Sequence, residues 1–142
     1  MKIYFACSIT GGREYEKKYQ AITQFLLDGG HEVPTAHLAE SNILEVEQVV
    51  IPSDVYARDV DWILTSDILI AEVSVPSHGV GYEIGFALNA GKPVLCLHDA
   101  GRKVSKMIIG NPHPLLKIKA YDNISQTFKE INEFVKIVTK SS

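Results

Sequence analysis

The sequence predicts one α/β domain built on a doubly wound, five-stranded parallel sheet. Three observations predict it. Short apolar runs rich in β-formers alternate with segments of helical periodicity, the pattern of a parallel sheet with helices on both faces. Two of those runs, Ile68–Val73 and Pro93–Leu97, are almost continuously apolar, as strands covered on both sides must be. The length, 142 residues, suits a single domain of ordinary size.

The elements follow in order. Lys2–Cys7 (KIYFAC) reads as the first strand. Glu14–Leu27 sets Tyr15, Tyr19, Ile22, Phe25 and Leu26 at helical spacing, and Gly29-Gly30 stops that helix. Glu32–Pro34 is the second, short strand. His37–Pro52 is irregular, with room for a short helix around Ile43–Val50. It is long for a connection in a compact domain, which suggests a lid or a substrate-contacting loop. Asp54–Thr65 places Val55, Val60, Ile63 and Leu64 on one side of a helix. Ile68–Val73 is the third strand, Tyr82–Asn89 a helix ending at Gly91, and Pro93–Leu97 the fourth strand. A second long loop, Gly101–Pro114, leads to a weaker fifth strand, Leu116–Tyr121. Ile124–Val138 closes the chain as a helix, and residues 139–142 read as a tail. Right-handed crossovers leave few topologies for this order, and a Rossmann-like or flavodoxin-like arrangement is the expected one.

Composition bounds the function. Hydrophobic residues make up 46% and charged residues 22%, enough apolar material for a packed core. The formal charge is −3, and the pI is near 5.9. Broad binding to nucleic acid or to a membrane surface wants a basic footprint, so neither is expected. A pocket for one nucleotide remains open. The opening MKIYFACSIT lacks the pattern of a signal peptide, and no apolar run approaches membrane-spanning length. Cys7 and Cys96 end apolar runs without CxxC or Cys-His spacing, so both are expected to be reduced, buried thiols. These features together suggest a cytoplasmic protein.

The richest stretch is Asp67–Gly85 (DILIAEVSVPSHGVGYEIG), which runs from a buried strand through a turn into a helix. Ligands of open parallel sheets bind beyond the carboxyl ends of the strands. The glycines of this stretch are spaced GxGxxxG and fall after the third strand, which is not the dinucleotide fingerprint. Walker A, GxSxG and HExxH patterns are absent. The first strand-to-helix turn, Cys7-Ser8-Ile9-Thr10-Gly11-Gly12-Arg13-Glu14, has glycines that admit an anion, hydroxyls from Ser8 and Thr10, and a fixed cation. Taken alone it is also compatible with an ordinary tight turn. Beside Ser77-His78-Gly79 at the same sheet edge, it suits a phosphate.

Cleaving a glycosidic bond takes two carboxyl groups, one at the sugar carbon and one protonating the leaving group. Glu83 is the first candidate. Near a helix N-terminus it is expected to stay ionised, as a nucleophile should. Asp59 or Asp61 is the second. Asp67 is expected to make a turn contact, and Glu72 to bind a backbone amide or a substrate hydroxyl. His31, His37, His78, His98 and His113 are scattered, with no spacing for a metal site. His37 and His78 lie near strand ends, where they could meet a base. No cofactor is expected.

Three blocks of the chain, Tyr4–Glu14, Asp59-Val60-Asp61-Trp62 and Ala71–Gly85, resemble those of the Rcl-type 2′-deoxynucleoside 5′-monophosphate N-glycosidases, within the nucleoside 2-deoxyribosyltransferase superfamily. The likeness extends to Gly101–Ile108. The resemblance implies hydrolysis of a deoxynucleoside 5′-monophosphate to free base and 2-deoxyribose 5-phosphate. It makes Glu83 the nucleophile that takes C1′ covalently, Asp59 the acid, and Tyr4 their neighbour at the sugar. It assigns the 5′-phosphate to Ser8, Gly11, Gly12, Arg13 and Ser77, counts Ile9, Thr10 and Gly79 among the substrate-binding residues, and lays His37 along the base. It also implies a homodimer in which Ser105 and Met107 complete the neighbouring site. Thr10 departs from the family, which carries Arg there; Arg13, Lys103 and Lys106 are the cations that could compensate. Alternatives are nucleoside 2-deoxyribosyl transfer, CMP-type ribonucleotide hydrolysis, and a nucleotide-binding module that does not cleave.

Overall fold

The structure, a computed structural model, describes residues 1–9, 14–40 and 43–141 and, at 44–46, the backbone alone. The described elements are β1 (Ile3–Ala6), α1 (Glu16–Asp28), a 3-10 turn (Ala36–Ala39), α2 (Ile43–Gln48), α3 (Pro52–Thr65), β2 (Ile68–Glu72), α4 (His78–Asn89), β3 (Val94–Asp99), α5 (Lys106–Ile109), β4 (Leu116–Tyr121) and α6 (Ile124–Ser141). The sheet has four strands in the order β1-β2-β3-β4, all parallel.

The expected strand at Glu32–Pro34 is therefore a correction. It forms one parallel bridge, Lys2 to Glu32, at the β1 edge. Ile3 N donates to Glu32 O (2.8 Å), and Glu32 N donates to Met1 O (3.0 Å). Pro34 then has no N–H with which to continue a ladder. Thr35 takes over with its side chain: its hydroxyl accepts from Phe5 N (3.1 Å) and donates to Phe5 O (2.7 Å). The edge of β1 is satisfied by a buried hydroxyl in place of further strand.

Alternation along the strands divides the core into two layers. Ile3, Phe5, Ile68, Ile70, Leu95 and Leu97 pack with Tyr19, Ile22 and Leu26 of α1 and Ile131 and Phe134 of α6. Tyr4, Ala6, Leu69, Ala71, Val94 and Cys96 pack with Ile63 of α3 and Val80, Ile84, Ala87 and Leu88 of α4. Helices thus cover both faces, as a doubly wound sheet requires. Gly30 (φ 83°) and Gly91 (φ 78°) follow α1 and α4 in the left-handed conformation, where a side chain would be strained. Cys7 and Cys96 are buried thiols. Among the described residues, no helix is long and apolar enough to cross a membrane.

Candidate active site

The site is assembled where β1, α2, α3 and the start of α4 meet. Ser77, in extended conformation (φ −151°, ψ 124°), caps α4 by accepting from Val80 N (3.3 Å). The helix therefore starts at His78, a full turn before the expected Tyr82. Gly79, Gly81 and Gly85 are helical residues and not turn residues. Glu83 sits in the second turn, past the orphan N–H groups that carry the positive end of a helix.

A cavity of about 860 Å³ opens here. Tyr4, Ala6 and Cys7 of β1 and its end line it, with Ile9, Leu38, Glu47, Tyr56, Arg58, Asp59, Ser77, His78, Gly79 and Glu83. Tyr4 and Glu83 come from the same face of the sheet, and the Tyr4 hydroxyl donates to Glu83 Oε2. Burial pushes the Glu83 carboxyl up to about 8. This corrects the expectation of an ionised Glu83. Desolvation by the cavity floor outweighs a dipole that is already a turn away.

Asp59 lines the same cavity and belongs to a charged cluster. Arg58 Nε donates to Asp59 Oδ1 (2.9 Å), and Arg58 Nη1 lies 3.1 Å from Glu47 Oε1. His37 Nε2 is 3.5 Å from the same Glu47 oxygen. The Trp62 ring lies 4.9 Å from the Arg58 guanidinium and packs edge-on against His37. Burial raises Asp59 above the usual carboxylate range; Arg58 opposes that, Glu47 adds to it, and His37 lowers it. Asp61 is exposed and does not line the cavity.

Other sequence candidates fall elsewhere. Glu72 is fully buried on the opposite face of the sheet, against α1 and α6, so it cannot meet Glu83. Its carboxylate accepts from Ser74 N (2.7 Å), Ser74 Oγ (2.8 Å) and the Tyr121 hydroxyl. Asp67 accepts from Lys2 N (2.8 Å). Ser8 is buried at the end of β1. Thr10, Gly11, Gly12 and Arg13 lie outside the described residues. Ser105 caps α5, accepting from Met107 N (3.2 Å), and Met107 is 85% exposed. Both line a second cavity of about 550 Å³, which shares Ser77, His78, Val80 and Tyr82 with the first. Among the described residues, no group of three His, Cys, Asp or Glu could hold a metal. Sequence reasoning missed Glu47 and gave Arg58 no role. No spacing links them, because they stand on separate helices.

Residues 3–131 match the profile of the family described as Nucleoside 2-deoxyribosyltransferase. A protein of Methanosarcina barkeri, provisionally named 2′-deoxynucleoside 5′-phosphate N-hydrolase 1, is 42% identical over 134 residues, covering 94% of this chain and 84% of its own length. A protein of Esox lucius named 5-hydroxymethyl-dUMP N-hydrolase is 44% identical over 115 residues, covering 78% of this chain and 79% of its own. Among solved structures, the CMP N-glycosidase of Clostridium botulinum superposes with a TM-score of 0.69 at 22% identity, over 93% of this chain and 99% of that one. The 2-deoxyribosyltransferase of Bacillus psychrosaccharolyticus gives 0.63 at 21% identity, over 90% of each chain. These two likenesses establish a shared fold.

Proposed function

The chain belongs to the nucleoside 2-deoxyribosyltransferase family, and from that membership and this site we propose that it hydrolyses the N-glycosidic bond of 2′-deoxynucleoside 5′-monophosphates. The products are free base and 2-deoxyribose 5-phosphate. The observation that carries the reading is the convergence of Glu83 and Asp59 on one cavity wide enough for a nucleotide. The names of the relatives from Methanosarcina barkeri and Esox lucius support the same reaction.

In the proposed mechanism ionised Glu83 attacks C1′. The C1′–N bond breaks while an ester bond to Glu83 forms, and Asp59 gives its proton to the departing base. Water then adds to C1′, returning a proton to Asp59 and releasing Glu83. The Tyr4 hydroxyl bonds to Glu83 and stabilises its charged form. Ser8, Gly11, Gly12, Arg13 and Ser77 are assigned to the 5′-phosphate, Ile9, Thr10 and Gly79 to the substrate, and His37 to the base side.

The site is shared in a homodimer. Ser105 and Met107 line the second cavity, which Glu83 does not line, and Met107 is exposed. This arrangement supports a role for both in a partner's site. Two buried thiols suit a reducing compartment and support a cytoplasmic location.

Base release should be measured by chromatography from deoxynucleotides, ribonucleotides and deoxynucleosides, with and without an acceptor base. Release from deoxynucleotides without exchange is expected. Base exchange on unphosphorylated nucleosides would replace hydrolysis with transfer, and silence across the panel would leave a binding module.

A further inference from the structure

Asp59, read above as the general acid, faces a chemical conflict. An acid that protonates a leaving base must hold its proton near neutral pH. Yet Arg58 Nε lies 2.9 Å from Asp59 Oδ1, and a guanidinium at that distance favours the carboxylate. Arg58 left alone would orient Asp59 and disarm it.

The structure shows a second carboxylate on the same guanidinium. Glu47 Oε1 is 3.1 Å from Arg58 Nη1, while Asp59 is held through Nε. The contacts of Arg58 with Asp59 run to Oδ1. The Trp62 ring backs the guanidinium, and His37 stands 3.5 Å from Glu47 on its other side. Side-chain exposure is 15% for Glu47, 24% for Arg58 and 20% for Asp59, so these charges are not screened like a surface pair. We propose that Glu47 is a positioning residue for Asp59: by engaging the other side of Arg58, it lets the guanidinium fix the acid's geometry without drawing off its proton.

The charges around Asp59 act in the required directions. Burial raises it, Arg58 lowers it, Glu47 raises it again, and His37 lowers it. Tyr4 of β1 and His78 and Glu83 of α4 also face the cavity. Glu47 stands on α2, inside the stretch that the sequence suggested as a lid.

The test is carried out first on the protein alone. Carboxyl carbons are followed by NMR across pH, with Asp59→Asn identifying the Asp59 signal. Glu47→Gln keeps the shape and removes the charge, so the Asp59 titration should move to lower pH. Glu47→Asp should largely restore it. In turnover of deoxynucleotides, Glu47→Gln should lower kcat roughly 10-fold near neutral pH with little change in KM. The alkaline limb of the profile should move down in pH with it. The loss should shrink on 4-nitrophenyl 2-deoxyriboside 5-phosphate, whose leaving group needs no proton. An Asp59 titration that does not move, or an equal loss on both substrates, overturns the proposal. If the wild-type protein releases no base from any nucleotide, the hydrolase reading fails, and the Asp59 titration still decides the role of Glu47.

Discussion

The Tyr4 hydroxyl, on the second residue of β1, donates to the Glu83 carboxylate on the second turn of α4. The two side chains join the first strand to the fourth helix across the floor of the cavity. A buried carboxyl in that position is held up to about 8 by desolvation, so the proposed nucleophile carries a proton through much of the neutral range. Attack needs the ionised form. For the free enzyme, the acid limb of the kcat/KM profile should therefore rise with pH through the neutral range with its midpoint near 8. A flat profile between pH 6 and about 8 would contradict the assignment.

Tyr4→Phe removes the donor that stabilises the ionised carboxyl. The acid limb of the kcat/KM profile should move to higher pH, and kcat at neutral pH should fall roughly 10-fold, with a smaller change in KM. Steady-state kinetics at several pH values check this. A change in KM alone would instead assign Tyr4 to binding.

The same carboxyl gives a stability prediction with a definite sign. The folded chain keeps the Glu83 proton up to about 8, whereas an ordinary carboxyl loses it near 4.5. The native state binds more protons in that window, so its stability falls as pH rises through it. Glu83→Gln cannot ionise and retains an acceptor for Tyr4. It should gain on the wild type progressively across the window, by roughly 2 kcal/mol at its upper end, while turnover is lost. Urea unfolding at a series of pH values measures the gap, and a gap independent of pH would count against burial as its cause.

Ser77 has two separable duties. It caps α4 through Val80 N, so Ser77→Ala should cost about 1 kcal/mol of stability. It also lines both cavities and is the proposed phosphate contact there. KM should rise for deoxynucleotides and stay near wild type for any residual turnover of nucleosides. Comparing the two substrate classes separates loss of the cap from loss of phosphate binding.

Glu72 and Tyr121 provide a contrast on the far face of the sheet. The Tyr121 hydroxyl bonds to the buried Glu72 carboxyl, which also accepts twice from Ser74. Tyr121→Phe leaves a buried carboxyl short of a donor and should cost about 1–3 kcal/mol. Because this network lies opposite the Tyr4–Glu83 floor, kcat and KM should stay close to wild type. Thermal unfolding beside kinetics tests both halves.

The sequence by itself determined the alternation of strand and helix, because side-chain periodicity is local and each run must bury one face or two. It offered Tyr4, Asp59, Ser77 and Glu83 as candidates, because each lies in a local block of residues that resembles one of the family's. It did not determine how far pairing would extend at the β1 edge. There the Thr35 hydroxyl competes with the backbone, and only the fold brings it to Phe5. It misjudged the start of α4 and with it the charge of Glu83, because desolvation depends on what closes over a side chain. Nor could it separate Glu72 from Glu83 by sheet face until the register was fixed, or join Glu47 to Arg58 across two helices. Tertiary structure decided those points because electrostatics at a site depends on distances between segments and on excluded water, and neither is written in local sequence.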